Sequence, residues 1–366
     1  MNLRLVILFS AALVLFACNR ESENYYEFES AILNEYLQSA AKQIISLSHP
    51  PEIIELKKEN LLLPKNREGM FASNLFGIHA FNNKLIAIQI NNEPVLLLNE
   101  HGEIIRALLE EGSGPFEIRQ LSGVAAHRSR LFVADFSQMV IHHSDSGLQF
   151  DSTLEVNRAK TTANHQSFTV CGNYAYVPLG LDSEHIIELV NIEDIPSYSF
   201  EIFPKIIKPG FGHQAHNILH LSCQNDTLLG NLIGLPYLFL FNAGASEPEQ
   251  VLILDSEEFK QLNKDVRPVN EPQYRTGSGI RVSQVMTAIH LGKSGNIYTT
   301  HNGNLLILGK DESQKWKVMG EYYLITSETN ERVSPFGITT SEQYIYIIHP
   351  QFEYIIRLEK NILKKD

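Results

Sequence analysis

What the chain lacks narrows its function first. Lysine and arginine number 30 against 42 aspartates and glutamates, a net charge of −12, and they gather into no cluster. Nucleic-acid phosphates demand a basic stripe, so a nucleic-acid partner is excluded. There is no Gly-x-x-x-x-Gly-Lys-Ser/Thr phosphate loop, no Gly-x-Ser-x-Gly nucleophile turn, no His-Glu-x-x-His and no Cys-x-x-Cys. With no such motif, no catalytic residue is assigned, no cofactor is expected, and the leaning is towards a non-enzymatic protein. Charged residues at 20% and hydrophobic residues at 43% leave ample material for a buried core.

Also missing at the N-terminus is a run long enough to cross a bilayer as a helix, which takes about 20 residues. The stretch from Leu5 to Ala17, preceded by Arg4 and broken only by Ser10, is shorter and ends in Leu15-Phe16-Ala17-Cys18. It reads as the apolar segment of a signal peptide. Ala17-Cys18 resembles the lipobox of bacterial lipoproteins, with Phe16 bulkier than the usual residue there. The resemblance implies removal of 1–17, acylation of Cys18, and a membrane-anchored protein of the cell envelope, periplasmic or surface-exposed. Losing Arg4 takes the net charge from −12 to −13. Only three cysteines occur in the chain; with Cys18 acylated, Cys171 and Cys223 remain as an even pair. An exported compartment permits a disulfide between them, and two buried thiols are the alternative.

From Glu27 to Leu47, apolar residues at Phe28, Leu33, Tyr36, Leu37, Ala40, Ala41, Ile44 and Ile45 follow helical spacing until His49-Pro50-Pro51. A short amphipathic helix is therefore expected within a tether spanning 18–51. Its polar face carries Glu27, Glu29 and Glu35 against Lys42, which suits packing on a neighbouring domain better than lying on a membrane.

Beyond Pro51 the pattern changes to short β-branched and aromatic runs between polar turns. Six copies of one unit follow, opening at Phe76-Gly77-Ile78, Ser122-Gly123-Val124, Phe168-Thr169-Val170, Ile218 to Leu221, Met286 to Ile289 and Phe336-Gly337-Ile338. Units of roughly 45 residues with three or four strands match propeller blades. The fold expected over 52–366 is all-β, a six-bladed β-propeller. Ring closure needs a strand from the far end of the chain, and Glu52 to Leu56 is assigned to complete the sixth blade.

Between the first two copies lies Gly112-Ser113-Gly114-Pro115-Phe116-Glu117, and the second copy holds Leu131-Phe132-Val133-Ala134-Asp135. These resemble the Gly-x-Gly-Pro-Gly-Glu turn and the Leu-aromatic-Val-Ala-Asp strand of the six-bladed propeller lipoproteins of Bacteroidetes-type bacteria, themselves similar to NHL-repeat propellers. Phe116 stands where that family has glycine, so a looser turn is expected. The resemblance implies fold and location and names no single activity.

Three groups of residues could carry chemistry. Asp135, His301 and His349 end second strands of three copies and could converge on a divalent cation, or each could hold its own turn. His213, His216 and His220 have ligand-like spacing but sit at the entry to a strand. The long link from Asp255 to Ser283 contains Arg267, Tyr274, Arg275 and Arg281, able to grip a carboxylate or phosphate. That link and the second-to-third-strand turns are assigned to the ligand face. The function expected is a binding module for a protein, peptide or glycan; a metal-dependent hydrolase or lyase at the channel mouth is the alternative.

Overall fold

The computed structural model describes residues 38–65, 71–72, 74–90, 93–156, 165–179, 183–193, 199–204, 218–233, 235–261, 286–349 and 353–363, together with 33 and 35. Six antiparallel sheets follow one another along the chain as the blades of a β-propeller. Their innermost strands are Leu75–Phe81, Gly123–His127, Thr169–Cys171, Leu219–Gln224, Ile289–Leu291 and Gly337–Thr340, in blades 1 to 6.

Each blade is apolar on both faces because its middle strands carry continuous hydrophobic runs, such as Tyr237–Asn242 and Asn304–Lys310. A sheet of that kind is stable only when sandwiched. Accordingly the core divides into clusters that each join two adjacent blades, for example Leu97 and Val133 between blades 1 and 2, and Leu189 and Phe239 between blades 3 and 4. Leu96 and Ile348, between blades 1 and 6, close the circle. Hydroxyls near the axis add ties: Ala80 donates its backbone N–H to Thr339 Oγ1 at 2.9 Å, and Leu291 to Ser222 Oγ at 2.9 Å.

Cys171 and Cys223 form a disulfide with their Cα atoms 5.5 Å apart, joining the inner strands of blades 3 and 4. It closes a loop of 52 residues, for which chain entropy gives a stabilisation of about 4 kcal/mol. Replacing both cysteines with alanine should lower the unfolding free energy of the purified protein by about 2–4 kcal/mol in a urea titration. A loss below about 0.5 kcal/mol would show that the bond adds nothing to ring stability.

Ring closure departs from the expectation. Glu52–Leu56 is a strand, but it lies parallel to the outer strand of blade 5, Trp316–Thr326. The closing strand is the short Leu61–Leu62, paired with Tyr354–Glu359 of blade 6. The helix expected over Glu27 to Leu47 is also corrected: Ala41–Ser46 is a strand, parallel to Gln250–Asp255 of blade 4. Within the rest of that stretch, positions 33, 35, 38 and 39 are helical. Leu33 is buried between blades 3 and 4. The physical reason is that an unpaired sheet edge offers a row of backbone donors and acceptors, which outweighs a weak helical period. The N-terminal segment thus forms a belt over the outer edges of blades 4, 5 and 6 in turn.

Candidate functional site

The inner strands enclose a cavity of about 750 Å³ on the propeller axis. Residues of the turns that join first to second strands line it, among them Asn82, Ser129, Asn225 and Lys293. At the other end the 3-10 turn His165–Ser167 enters from the link between blades 2 and 3. There Gln166 Nε2 crosses to blades 5 and 6, donating to Thr287 O at 3.2 Å and Phe336 O at 2.9 Å. Gln166 and Phe168 line the cavity as its floor. The cavity is therefore spanned at the link end and opens through the inner hairpin turns, the face opposite the one assigned to ligand from the sequence.

The wall chemistry differs from the rest of the chain. Among lining residues the carboxylates are Glu100 and Glu342, both exposed, against Lys84, Arg128 and Lys293 and the histidines His79, His101, His127 and His290. Burial pushes His79 down to about 4. His290 is pushed down to about 3 by burial, assisted by the neighbouring His79 and Lys360. His127 is also held below the ordinary imidazole value by burial and by Arg128, against the opposing pull of Asp226 and a Gly172 backbone hydrogen bond. His290 Nε2 lies 3.2 Å from Thr340 Oγ1. At neutral pH the His79 and His290 rings are uncharged, each able to donate one hydrogen bond and accept another. A hydrogen-bonding pocket with a weakly cationic rim results.

Of the residues singled out from the sequence, Asp135, His220, His301 and His349 are not among those lining the cavity, while Cys223 is. Asp135 is buried and accepts hydrogen bonds on both oxygens: Arg119 N at 2.6 Å, Gln120 N at 3.1 Å and Gln138 Nε2 at 2.8 Å on one, and Ser137 N, Ser137 Oγ and Gln138 N at 2.9, 2.7 and 3.1 Å on the other. Burial alone would raise its pKa; these donors outweigh it and hold the carboxyl below the usual value. His349 is buried at the end of the second strand of blade 6, and burial lowers its pKa. His220 is buried in the inner strand of blade 4 and pushed down to about 4 by burial. Asp135, His301 and His349 belong to blades 2, 5 and 6, and among the described residues no three His, Cys, Asp or Glu side chains come together to hold a metal. Cys18, His213, His216, Arg267, Tyr274, Arg275 and Arg281 lie outside the described residues.

His301 has a more specific setting. Its Nδ1 is 2.8 Å from Glu321 Oε1 and its Nε2 is 2.9 Å from Ser256 Oγ. That order, hydroxyl to imidazole to carboxylate, is the one hydrolases use to activate a serine. Here the hydroxyl is buried, it accepts the Phe259 N–H at 3.1 Å as a helix cap, and the Phe259 ring packs 5.3 Å from the imidazole. Asn304 Nδ2 donates to Glu321 Oε1 at 2.8 Å. The array pins the start of the long link, just after Asp255, to blade 5.

The residues that sequence reasoning missed are His79, His127, His290 and Gln166. A signal existed for the first three: histidine recurs in the first strands of blades 1, 2 and 5, and again as His220 in blade 4. Nothing local marks Gln166, whose partners lie 121 and 170 residues away.

No family model and no curated protein matches the chain. Among solved structures it is similar to a protein of Bacteroides fragilis described as a "putative exported protein", at 12% identity and a TM-score of 0.52, over 83% of this chain and 88% of that one. A DUF4221 family member from Bacteroides vulgatus is 9% identical with a TM-score of 0.40, over 86% and 97%. Virginiamycin B lyase from Staphylococcus aureus is 12% identical with a TM-score of 0.45, over 78% and 81%. At such identities the likeness concerns fold alone.

Proposed function

We propose that this chain is an extracytoplasmic lipoprotein, acylated at Cys18, whose propeller binds a small polar ligand in the axial channel. The observation that carries the binding reading is the cavity of about 750 Å³ spanned at one end by Gln166. A volume of that size encloses most of a small molecule's surface. The signal-like N-terminus supports export, as does the exported description of the Bacteroides fragilis protein.

Each half of this reading has its own experiment. Cys18→Ser should leave an unacylated precursor with its signal uncleaved; wild-type and variant fractions are compared by mass and by labelling with a radioactive fatty acid. Equal lipid incorporation in the variant would refute acylation at Cys18. For the channel, Gln343→Cys places a thiol at an exposed rim position. Coupling it to a bulky maleimide should abolish the thermal stabilisation given by any ligand found in a screen. Ligands that bind the coupled and uncoupled proteins equally well would place the site elsewhere.

A further inference from the structure

Three features of the channel converge on one ligand chemistry. The first is its charge balance: 42 acidic residues outnumber 30 basic ones over the chain, yet the lining holds two carboxylates against three cations and four histidines. The second is the position of the cations. Arg128 is shared, with its guanidinium 2.9 Å from Asn173 Oδ1, 3.5 Å from Glu193 and 3.8 Å from Asp226. Lys84 and Lys293 are exposed at the mouth and have no ion-pair partner among the described residues. The third is the pair His79 and His290, contributed by the inner strands of blades 1 and 5 and close enough to act on one another electrostatically. Neither ring nitrogen of His79 has a hydrogen-bond partner among the described residues.

Resting on the channel reading above, we propose that the ligand is a small anion bearing a carboxylate or a phosphate group, held between His79 and His290, and that its binding takes up a proton. Burial and the neighbouring Lys360 disfavour a positive charge on this pair. The charged and titratable groups around the pair are Lys360 and Tyr298 beside His290, Tyr344 and Tyr346 from blade 6, His127 and Arg128 from blade 2, and Lys84, Lys293, Glu100, His101 and Glu342 at the mouth. Among those deep in the channel no carboxylate offsets an imidazolium. An oxyanion supplies that missing negative charge, favours the protonated ring, and accepts hydrogen bonds from both imidazoles. No bond is made or broken; one proton moves from solvent to an imidazole nitrogen. Lys84 and Lys293 draw the anion to the mouth.

The sign of the pH effect follows. Free His79 and His290 lie at about 4 and about 3, so the free protein binds no proton on them near neutrality. The anion complex does, and affinity must rise as pH falls towards the free values. The test is calorimetry of the full-length protein in detergent with two probes that do not titrate over the range used: sulfate for the tetrahedral arm and acetate for the carboxylate arm. Runs at pH 6.0 and 7.5, in buffers of different ionisation enthalpy, count the protons taken up. For one arm or both, affinity about 30-fold higher at pH 6.0 than at pH 7.5 and uptake of close to one proton are expected. His79→Asn with His290→Asn keeps hydrogen-bonding groups but cannot titrate, and should abolish the uptake. Binding with no uptake, or binding unchanged in the double variant, overturns the proposal. So does failure of both anions while neutral ligands still bind in a manner blocked by maleimide at Gln343→Cys; that outcome leaves the channel reading intact. Anion binding that survives the maleimide overturns both.

Discussion

Asp135→Ala should cost the propeller about 3–5 kcal/mol of unfolding free energy, among the largest effects of any single substitution. The carboxylate is buried and gathers the backbone amides of Arg119, Gln120, Ser137 and Gln138. Alanine leaves these donors without an acceptor in a site closed to water, and such stranded groups cost far more than the hydrogen bonds contribute net. Asp135→Asn keeps the shape but turns an N–H₂ group towards other donors, and about half the loss is expected. Acid titration provides a second readout. Because the folded pKa lies below the unfolded one, the carboxylate's stabilisation is complete above about pH 3.9 and disappears as pH falls through the folded value. Asp135→Asn should lack that part of the acid limb. A variant as stable as wild type in urea, with an unchanged acid limb, would show that the link between blades 1 and 2 does not depend on this residue.

The same corner explains which parts of the fold were readable from sequence. The two motifs that suggested a propeller meet there: Gln138 Nε2 bonds both Asp135 and the carbonyl of Glu117 at 3.2 Å, and Glu117 Oε2 accepts Gly114 N at 2.6 Å. Phe116, where glycine was expected, has a φ of 60°, so the turn keeps the left-handed geometry that glycine adopts freely and remains tight. Its ring packs 5.9 Å from that of His142. Residues whose partners lie within one blade or its link were legible because turn chemistry is local. Asp135, His301 and His349 were correctly seen at strand ends, while His79 and His290 needed the ring itself to meet. They are 211 residues apart by number, and only closure of six blades brings their inner strands to one axis. Gln166 escaped for the same reason.

The N-terminal belt carries the other large expected effect. Ala41–Ser46 and Glu52–Leu56 bury little: Ile44 and Ile53 point outward at 62% and 66% exposure, while Ile45, Leu56 and Leu62 are inside. Each inward side chain enters a different core, between blades 4 and 5, 5 and 6, and 6 and 1. Backbone ladders hold the rest. One side chain imitates them: Gln43 Nε2 donates to Trp316 O at 2.5 Å and Gln43 Oε1 accepts Trp316 N at 3.1 Å, tying the strand on blade 4 to blade 5. Ile45→Ala, Leu56→Ala and Leu62→Ala should each cost about 2–5 kcal/mol. Lying in separate cores, they should add. The sum, about 6–15 kcal/mol, matches the whole stability of a typical domain, so the triple variant should be unfolded at room temperature. Urea midpoints of the single variants and the circular dichroism of the triple variant check this. Single losses under about 0.5 kcal/mol with a folded triple variant would mean that the ring closes without its belt. If the losses are as expected, the segment that would tether the protein to a membrane through Cys18 is also the one that locks the ring, so pulling on the tether would load the seam of blades 3 and 4 at Leu33 before the strand on blade 4.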